Sequence, residues 1–571
     1  MLTRRCACRG RSAAVADERS RCVTRWRARP ELLLGAGTLA SRALGFVKAI
    51  LLVAAIGGTS STAGGQIFDV ANTLPTALFA LVAGGALSSI LIPEIAGAIR
   101  RDHAGEVGES SVANDISGQE HIDQILSLTA FAAVILTAAL LMFAPMLVNV
   151  YALAWPESWL RLGTLMALWC IPQVFFLIQF GTFSQVLLAH GRFAFVAWAP
   201  ALSNAATIGS LLVFLAVVPS GLVDVEKWTP SMVALVCGGA TLGAIAQFVL
   251  VGIPVLRLGH RPRFRIRPQR FARIGVNVLW GFLAVLCWQG SYVVISNVAS
   301  AAGAHLTASG IDGASLNSLS NAYLLFLVPH GVIAVSLITA SYTRMSHHLV
   351  AGEITPAWAE IRRTARLVAV VSALFTVIFV ALGPHIGVAV WNAAPIGGVL
   401  AALGTGLGAF SLVLLVQRVS YALGDARSPF IVQLVIAVAT VLGVLLVGLV
   451  AQPAHVVVLV ALVISAATWM GLLVGIALLE RRARLRDAMR SVRHSAMARS
   501  IRLAVVVLVA TGCAWLAASV PVGDPGWSTQ VTALVSAGIG GIVAVGVFIG
   551  LAHALGETAV ADIARVLRRK G

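Results

Sequence analysis

Charge is scarce in this chain. Asp, Glu, Lys and Arg make up 11% of its 571 residues, against about 25% in soluble globular domains. With 58% hydrophobic residues and a mean hydropathy of +0.91, that scarcity excludes a soluble fold and defines an all-α polytopic membrane protein. Acidic residues are the rarer sign, 23 against 41 Lys and Arg. No cluster of intramembrane carboxylates is present to hold an ion, and no metal site is expected. The seven cysteines, Cys6, Cys8, Cys22, Cys170, Cys237, Cys287 and Cys513, form neither a disulfide framework nor a zinc spacing. Residues 1–30 carry nine arginines and no apolar h-region, which excludes a signal peptide. They read as a disordered basic cytoplasmic tail or an overcalled start.

What is present is a succession of apolar runs. By the 20-residue criterion spans fall near 32–57, 66–98, 123–150, 160–188, 193–218 and 230–255, then near 275–300, 318–343, 365–391, 396–420, 428–451, 454–479, 500–520 and 530–554, fourteen in all. The sharpest interior break, Arg257–Arg273, has seven arginines and two prolines. It divides an N-terminal lobe at 31–256 from a C-terminal lobe at 274–479, with 257–273 as a basic linker and 480–571 as two further spans and a short tail. The net charge of +18 would suggest nucleic acid in a soluble chain. Here the cations gather in alternate loops (1–30, 99–122, 256–274, 344–366, 480–502, 555–571), which places both termini in the cytoplasm of a multi-pass protein. The other loops are short and hold little beyond Arg161 and Lys227, leaving no extracytoplasmic domain for catalysis. No catalytic residues are assigned.

The first two spans stand out. The first carries Arg42 and Lys48 inside an apolar run, where a cation costs roughly 2.5 to 3.5 kcal/mol on insertion scales. A cation kept there is expected to face a polar cavity or an anion. The second carries Pro75 and the small residues Gly84 and Gly85, the composition of a helix that bends and packs closely. Asp69 in that span is placed to pair with Lys48, and Arg418, near the end of the tenth span, either faces the cavity from the second lobe or anchors its helix at the inner interface. An internal echo links the lobes. Gly191 and Gly424 each follow an aliphatic helix end and precede an arginine and a new span, and Pro75 is echoed by Pro329, which is followed by His330. His330 reads as a packing histidine. The echoes lie six spans apart, which preserves orientation and implies parallel rather than inverted repeats.

Ser41-Arg42-Ala43-Leu44-Gly45-Phe46, then Phe68-x-Val70-Ala71-x-x-Leu74-Pro75, then Gly85-Ala86-Leu87-Ser88-Ser89-x-x-Ile92-Pro93 resemble the MurJ (MviN) family of lipid II flippases. His190-Gly191-Arg192-Phe193 with Ala199-Pro200, and Asn321-Ala322-Tyr323-Leu324 with Pro329 through Ser336, extend the resemblance over roughly 32–555. It implies the fold of the multidrug and oligosaccharidyl-lipid exporters: two six-helix lobes related by a pseudo-two-fold around a central cavity, plus two C-terminal helices. The implied task is moving the undecaprenyl-pyrophosphate-linked peptidoglycan precursor to the outer leaflet of a bacterial plasma membrane. Cell-wall synthases are the implied neighbours, with membrane lipids as further partners and no nucleic acid.

The residues fit that cargo. A guanidinium offers paired donors to pyrophosphate oxygens, and Arg42, which matches the arginine of the family's Ser-Arg motif, is the leading substrate-binding candidate. Lys48 stands where an arginine is often found, keeping the charge and losing the fork. No cofactor is expected. Coupling to the membrane potential, worth about 2.3 kcal/mol per charge per 100 mV, or to a monovalent cation remains open. Phe79, Ala80 and Leu324 occupy places where Gram-negative-type members carry arginines, so the cavity is less cationic. That leaves two other readings: an exporter of another polyprenyl-linked oligosaccharide or amphiphile in the same superfamily, and a polytopic membrane glycosyltransferase. The glycosyltransferase would need catalytic carboxylates in the outer loops, which hold only scattered ones such as Glu157, Asp224 and Asp524.

Overall fold

The computed structural model describes residues 30–82, 118–218, 224–261, 276–522 and 526–556. Among these there is no strand. In a membrane that is the expected outcome, since a helix satisfies its own backbone donors and acceptors. In chain order the long helices are α1 (Pro30–Ile56), α2 (Ala63–Val82) and α3 (Gly118–Met142). Then come α4 (Glu157–Ala189), α5 (Phe193–Val217), α6 (Pro230–Arg257) and α7 (Val276–Ala308). They are followed by α8 (Leu316–Val350), α9 (Ile354–Trp391) and α10, a pair Ala394–Gly404 and Leu407–Ala422 bent by 48°. The last four are α11 (Arg427–Val450), α12 (Pro453–Glu480), α13 (Ala483–Ala518) and α14 (Thr529–Ala554). Among the described residues twelve helices are long and apolar enough to cross a membrane, or thirteen with the bent pair taken as one span. The second expected span continues beyond Val82, outside the described residues, and Gly84 and Gly85 lie there too, as do the basic tail and most of the linker.

Two helices begin earlier than hydropathy suggests. The ninth span was expected from 365 and the thirteenth from 500, yet α9 starts at Ile354 and α13 at Ala483. Hydropathy marks where lipid contact begins. The backbone ladder has no reason to stop at that point, so Arg362 and Arg366 sit on a helix rather than in a loop.

Packing follows small residues. α1 lies along α5, where a Cβ on Gly37 would come within 2.8 Å of the Ala197 carbonyl oxygen, and Asn204 Nδ2 donates to the Ser41 carbonyl at 2.9 Å. α5 and α6 pack together, α6 and α3 against α4, α7 against α11 and α11 against α12; α13 and α14 pack on each other and on α9. Helices α1–α6 and α7–α12 meet chiefly where α2 touches α7 and α8. The echoed turns share a backbone: Gly191 and Gly424 have φ of 70° and 74°, the left-handed region that glycine enters without a Cβ clash.

Irregular turns are compensated. At the break in α10, Ser465 Oγ of α12 donates to the carbonyls of Ala402 and Leu403 at 3.1 and 3.2 Å, and Trp469 Nε1 to that of Thr405 at 3.0 Å. α2 passes through Pro75 without interruption. In α8 the turn after Pro329, His330–Ala334, widens to a π-helix, since proline supplies no N–H and crowds the preceding turn.

Candidate functional site

The turn between α1 and α2 is fastened to the turn between α7 and α8. Ser60 N donates to the Gly313 carbonyl at 3.0 Å, Ser60 Oγ to that of Ile311 at 2.9 Å, and Gly313 N returns a bond to Ser60 Oγ at 2.8 Å. Thr307 Oγ1 donates to the Ser60 carbonyl at 2.7 Å, Asn317 Nδ2 to Gly57 at 2.9 Å and Ser318 Oγ to Gly58 at 2.7 Å. Beside this clasp, the end of the helix Ala144–Tyr151 is tied to α7. Ser296 Oγ donates to the Tyr151 carbonyl at 2.9 Å, Asn297 Nδ2 to that of Val150 at 2.7 Å, and Leu153 N to Asn297 Oδ1 at 2.8 Å. This end of the molecule is shut.

Arg42 lies below it. A Cβ on Gly331 would fall 2.5 and 2.6 Å from the two terminal guanidinium nitrogens of Arg42, so the guanidinium rests on the bare backbone of α8. Arg42 is some fourteen residues from the clasp end of α1 and Gly331 some fifteen from that of α8, about 21 and 22 Å at 1.5 Å per residue. The two helices therefore touch at matching depth. The Arg42 side chain is exposed and, among the described residues, has no carboxylate within 4 Å. The adjoining His330 has its ring 4.6 Å from that of Phe410 and its Nδ1 3.0 Å from Ser411 Oγ.

Three cavities lie in the interior, the first bordered by Asn317 of the clasp and the third by His330 beside Gly331. One of about 370 Å³ is bordered by both Lys48 and Asp69, with the amides of Asn72, Gln173, Asn204 and Gln247. Lys48 and Asp69 share it without forming the expected ion pair: no contact within 4 Å joins them. The amides around the cavity bond one another and the backbone: Gln173 Nε2 donates to Asn72 Oδ1 at 3.3 Å and Asn204 Nδ2 to the Ser41 carbonyl. The Ser320 hydroxyl of α8 faces Asp69, whose Oδ2 is buried without a partner. A second cavity, about 310 Å³, shares Thr76 and Ser320 with the first and adds Trp288, Tyr292 and Tyr323. A third, about 200 Å³, shares Trp288, Tyr323 and Ile464 with the second and reaches His330, Phe410 and Gln417. Arg418 lies apart from all three, over the Tyr342 ring at 5.5 Å.

Sequence reasoning passed over several of these groups. The clasp residues are ordinary turn serines and threonines, and nothing in the sequence marks them. Gln173, Gln247 and Asn204 carry a readable signal, being uncharged amides within apolar runs. The aromatic wall of Trp288, Tyr323 and Phe410 is legible only in three dimensions.

A polytopic helical protein with a polar, aromatic-walled interior closed at one end is a transporter by architecture. Solved structures agree on the fold. The chain is similar to a structure described as lipid II flippase MurJ in an inward closed conformation, at 16% identity and TM-score 0.67, over 92% of this chain and 100% of that one. It is also similar to an inward-facing multidrug resistance MATE family transporter of the MOP superfamily, at 13% identity and TM-score 0.56, over 77% and 96%. A MOP superfamily transporter from Pyrococcus furiosus gives 13% identity and TM-score 0.53, over 80% and 95%. The family model described as lipid II flippase MurJ matches residues 53–533. The chain belongs to that family.

Proposed function

We propose that this protein carries lipid II across the membrane by alternating access, with Arg42 receiving the pyrophosphate and the clasp at Ser60 closing the outer end. The observation that carries the reading is the exposed, carboxylate-free guanidinium of Arg42 laid across from α1 to Gly331 of α8, well below a sealed end. A fork of N–H donors there suits paired phosphate oxygens. Both termini are cytoplasmic in this proposal, so the cavities face the cytoplasm when the clasp is shut. Helices α1–α6 and α7–α12 act as the two lobes, and Lys48, Asp69 and the neighbouring amides receive polar parts of the cargo.

An inside-negative potential favours outward movement of the anionic headgroup by about 2.3 kcal/mol per charge per 100 mV, so ion coupling is not an energetic requirement. Synthases that polymerise the precursor outside are the proposed neighbours.

The test is lipid II exposure on the outer leaflet of cells depleted of their own flippase and supplied with this protein or its Arg42→Ala variant, at equal membrane levels. Restoration by the wild type and its loss in the variant are expected. A well-folded wild type that restores nothing overturns the cargo assignment in favour of another polyprenyl-linked sugar.

A further inference from the structure

A fourth cavity, of about 320 Å³, lies away from the pathway, between α9, α10, α12 and α13. It sits at the end of the helices where the arginines gather. Its floor is aliphatic, with Ile361, Val416, Leu472 and Leu503 among the residues that border it. Its rim is cationic: Arg362 comes from α9 and Arg499 from α13. Trp358 and Arg362 are four residues apart on α9 and so share one face.

Two donors at this cavity are unmet. The Nε1 of Trp358 and the Nε of Arg362 are buried and have no hydrogen-bond partner. Buried N–H groups are paired in the great majority of cases, and an unpaired one calls for an acceptor from outside the chain. Arg499 is anchored by its Nε on the Ser495 carbonyl at 2.9 Å. Among the described residues no carboxylate lies within 4 Å of Arg362 or Arg499. The rim asks for an anion with several acceptor oxygens, and the floor asks for a hydrocarbon.

We infer that this cavity is a binding site for one anionic phospholipid. The phosphate and ester oxygens accept from Arg362, Trp358 and Arg499, and part of an acyl chain fills the aliphatic floor. Free phosphate would leave the floor empty, and a zwitterionic lipid would bring its own cation to a cationic rim. Basic pockets between helices at the cytoplasmic face are a recurrent form of headgroup recognition. The site joins α13 to α9 through the lipid, so its occupancy bears on how the last two helices are held.

The experiment is native mass spectrometry of the full chain released from detergent, titrated in separate arms with phosphatidylglycerol, phosphatidylcholine, inorganic phosphate and undecaprenyl phosphate. The wild type is expected to retain one phosphatidylglycerol, with at least tenfold weaker retention of phosphatidylcholine and none of inorganic phosphate. The double variant Arg362→Gln, Arg499→Gln is expected to lose that preference at an unchanged melting midpoint in phosphatidylcholine. Ala369 borders the same floor, and Ala369→Phe, which fills it and leaves both guanidiniums in place, is expected to lose the bound lipid as well. Equal retention by wild type and both variants overturns the proposal. So does displacement by inorganic phosphate, or a preference for undecaprenyl phosphate, which would make the cavity part of the cargo route.

Discussion

Replacing Ser60 by alanine should loosen the clasped end without unfolding the protein. Ser60 is fully buried, and its hydroxyl both donates to the Ile311 carbonyl and accepts from Gly313 N. Alanine fits the space and strands both partners while the end is closed. With the end open, water satisfies them. Leaving one buried group unmet costs about 1 to 3 kcal/mol, and the backbone bonds of Ser60 survive the change, so a net shift of about 2 kcal/mol toward the open form is expected. That is roughly thirtyfold in the equilibrium between the two forms. Spin labels at the exposed positions Ser61 and Ser309 report the separation of the two turns. The distance distribution should move from one short population toward a mixture with a longer one, and the shift should persist in high salt because no charge is involved. An unchanged distribution in a folded Ser60→Ala protein would refute the idea that the clasp holds this end shut.

Three further outcomes follow from individual residues. Gly331→Ala places a Cβ against the guanidinium of Arg42; the flexible end of that side chain can yield, so the thermal midpoint should stay within a degree or two while lipid II exposure falls. Asp69→Asn keeps the shape and removes a buried carboxylate whose Oδ2 has no partner, so thermal stability should hold or rise, and a clear drop would mean that the carboxylate is paired in the working protein. Asp425, in the turn before α11, is pushed up by burial but held net below the usual carboxylate range by hydrogen bonds from Ser428 and by Arg482. Its stabilisation is therefore present above about pH 3.9 and fades as pH falls through its lower folded value, a fall that Asp425→Asn should abolish in acid-melting curves.

How far the sequence could be read depended on how local each feature is. Arg42 was legible because a guanidinium inside an apolar run costs enough to demand a reason, and the structure lays it on Gly331, a residue that the family resemblance also marks. The apolar runs were legible because hydropathy over 20 residues measures transfer into lipid directly, and twelve of the fourteen expected spans, or thirteen with the bent pair, stand as such helices among the described residues. The clasp was not, because Ser60 and Gly313 meet only after two distant turns are brought together, and five of its six bonds end on backbone carbonyls that every sequence has. The Lys48–Asp69 pairing failed for a related reason. Opposite charge one helix apart predicts attraction, but it does not fix the distance: the two groups border one cavity without coming within 4 Å of each other. The long N-terminal extensions of α9 and α13 were hidden because hydropathy reports the lipid boundary and is silent on where a helix ends.

The chemistry at the two depths divides the work of transport. The clasp is built of neutral hydrogen bonds, each worth only about 0.5 to 1.5 kcal/mol net because water replaces it on opening. Opening this end therefore costs far less than the number of bonds suggests, and lies within reach of what a bound cargo can supply through a preference for the open form. Arg42 is the opposite kind of element: an exposed cation without a carboxylate beside it, so its attraction for an anion reaches over about a Debye length and weakens with salt. Such a cation favours capture and opposes release. In the proposed orientation the membrane potential acts on the same headgroup in the outward direction, with a strength proportional to the charge carried. In the proposed pathway Arg42 is the unopposed cation, whereas Lys48, nearer the clasp, shares its cavity with the carboxylate of Asp69, so little net positive charge lies beyond Arg42 and the potential can win once the clasp has opened. A second arginine placed closer to Ser60 would hold the headgroup against it.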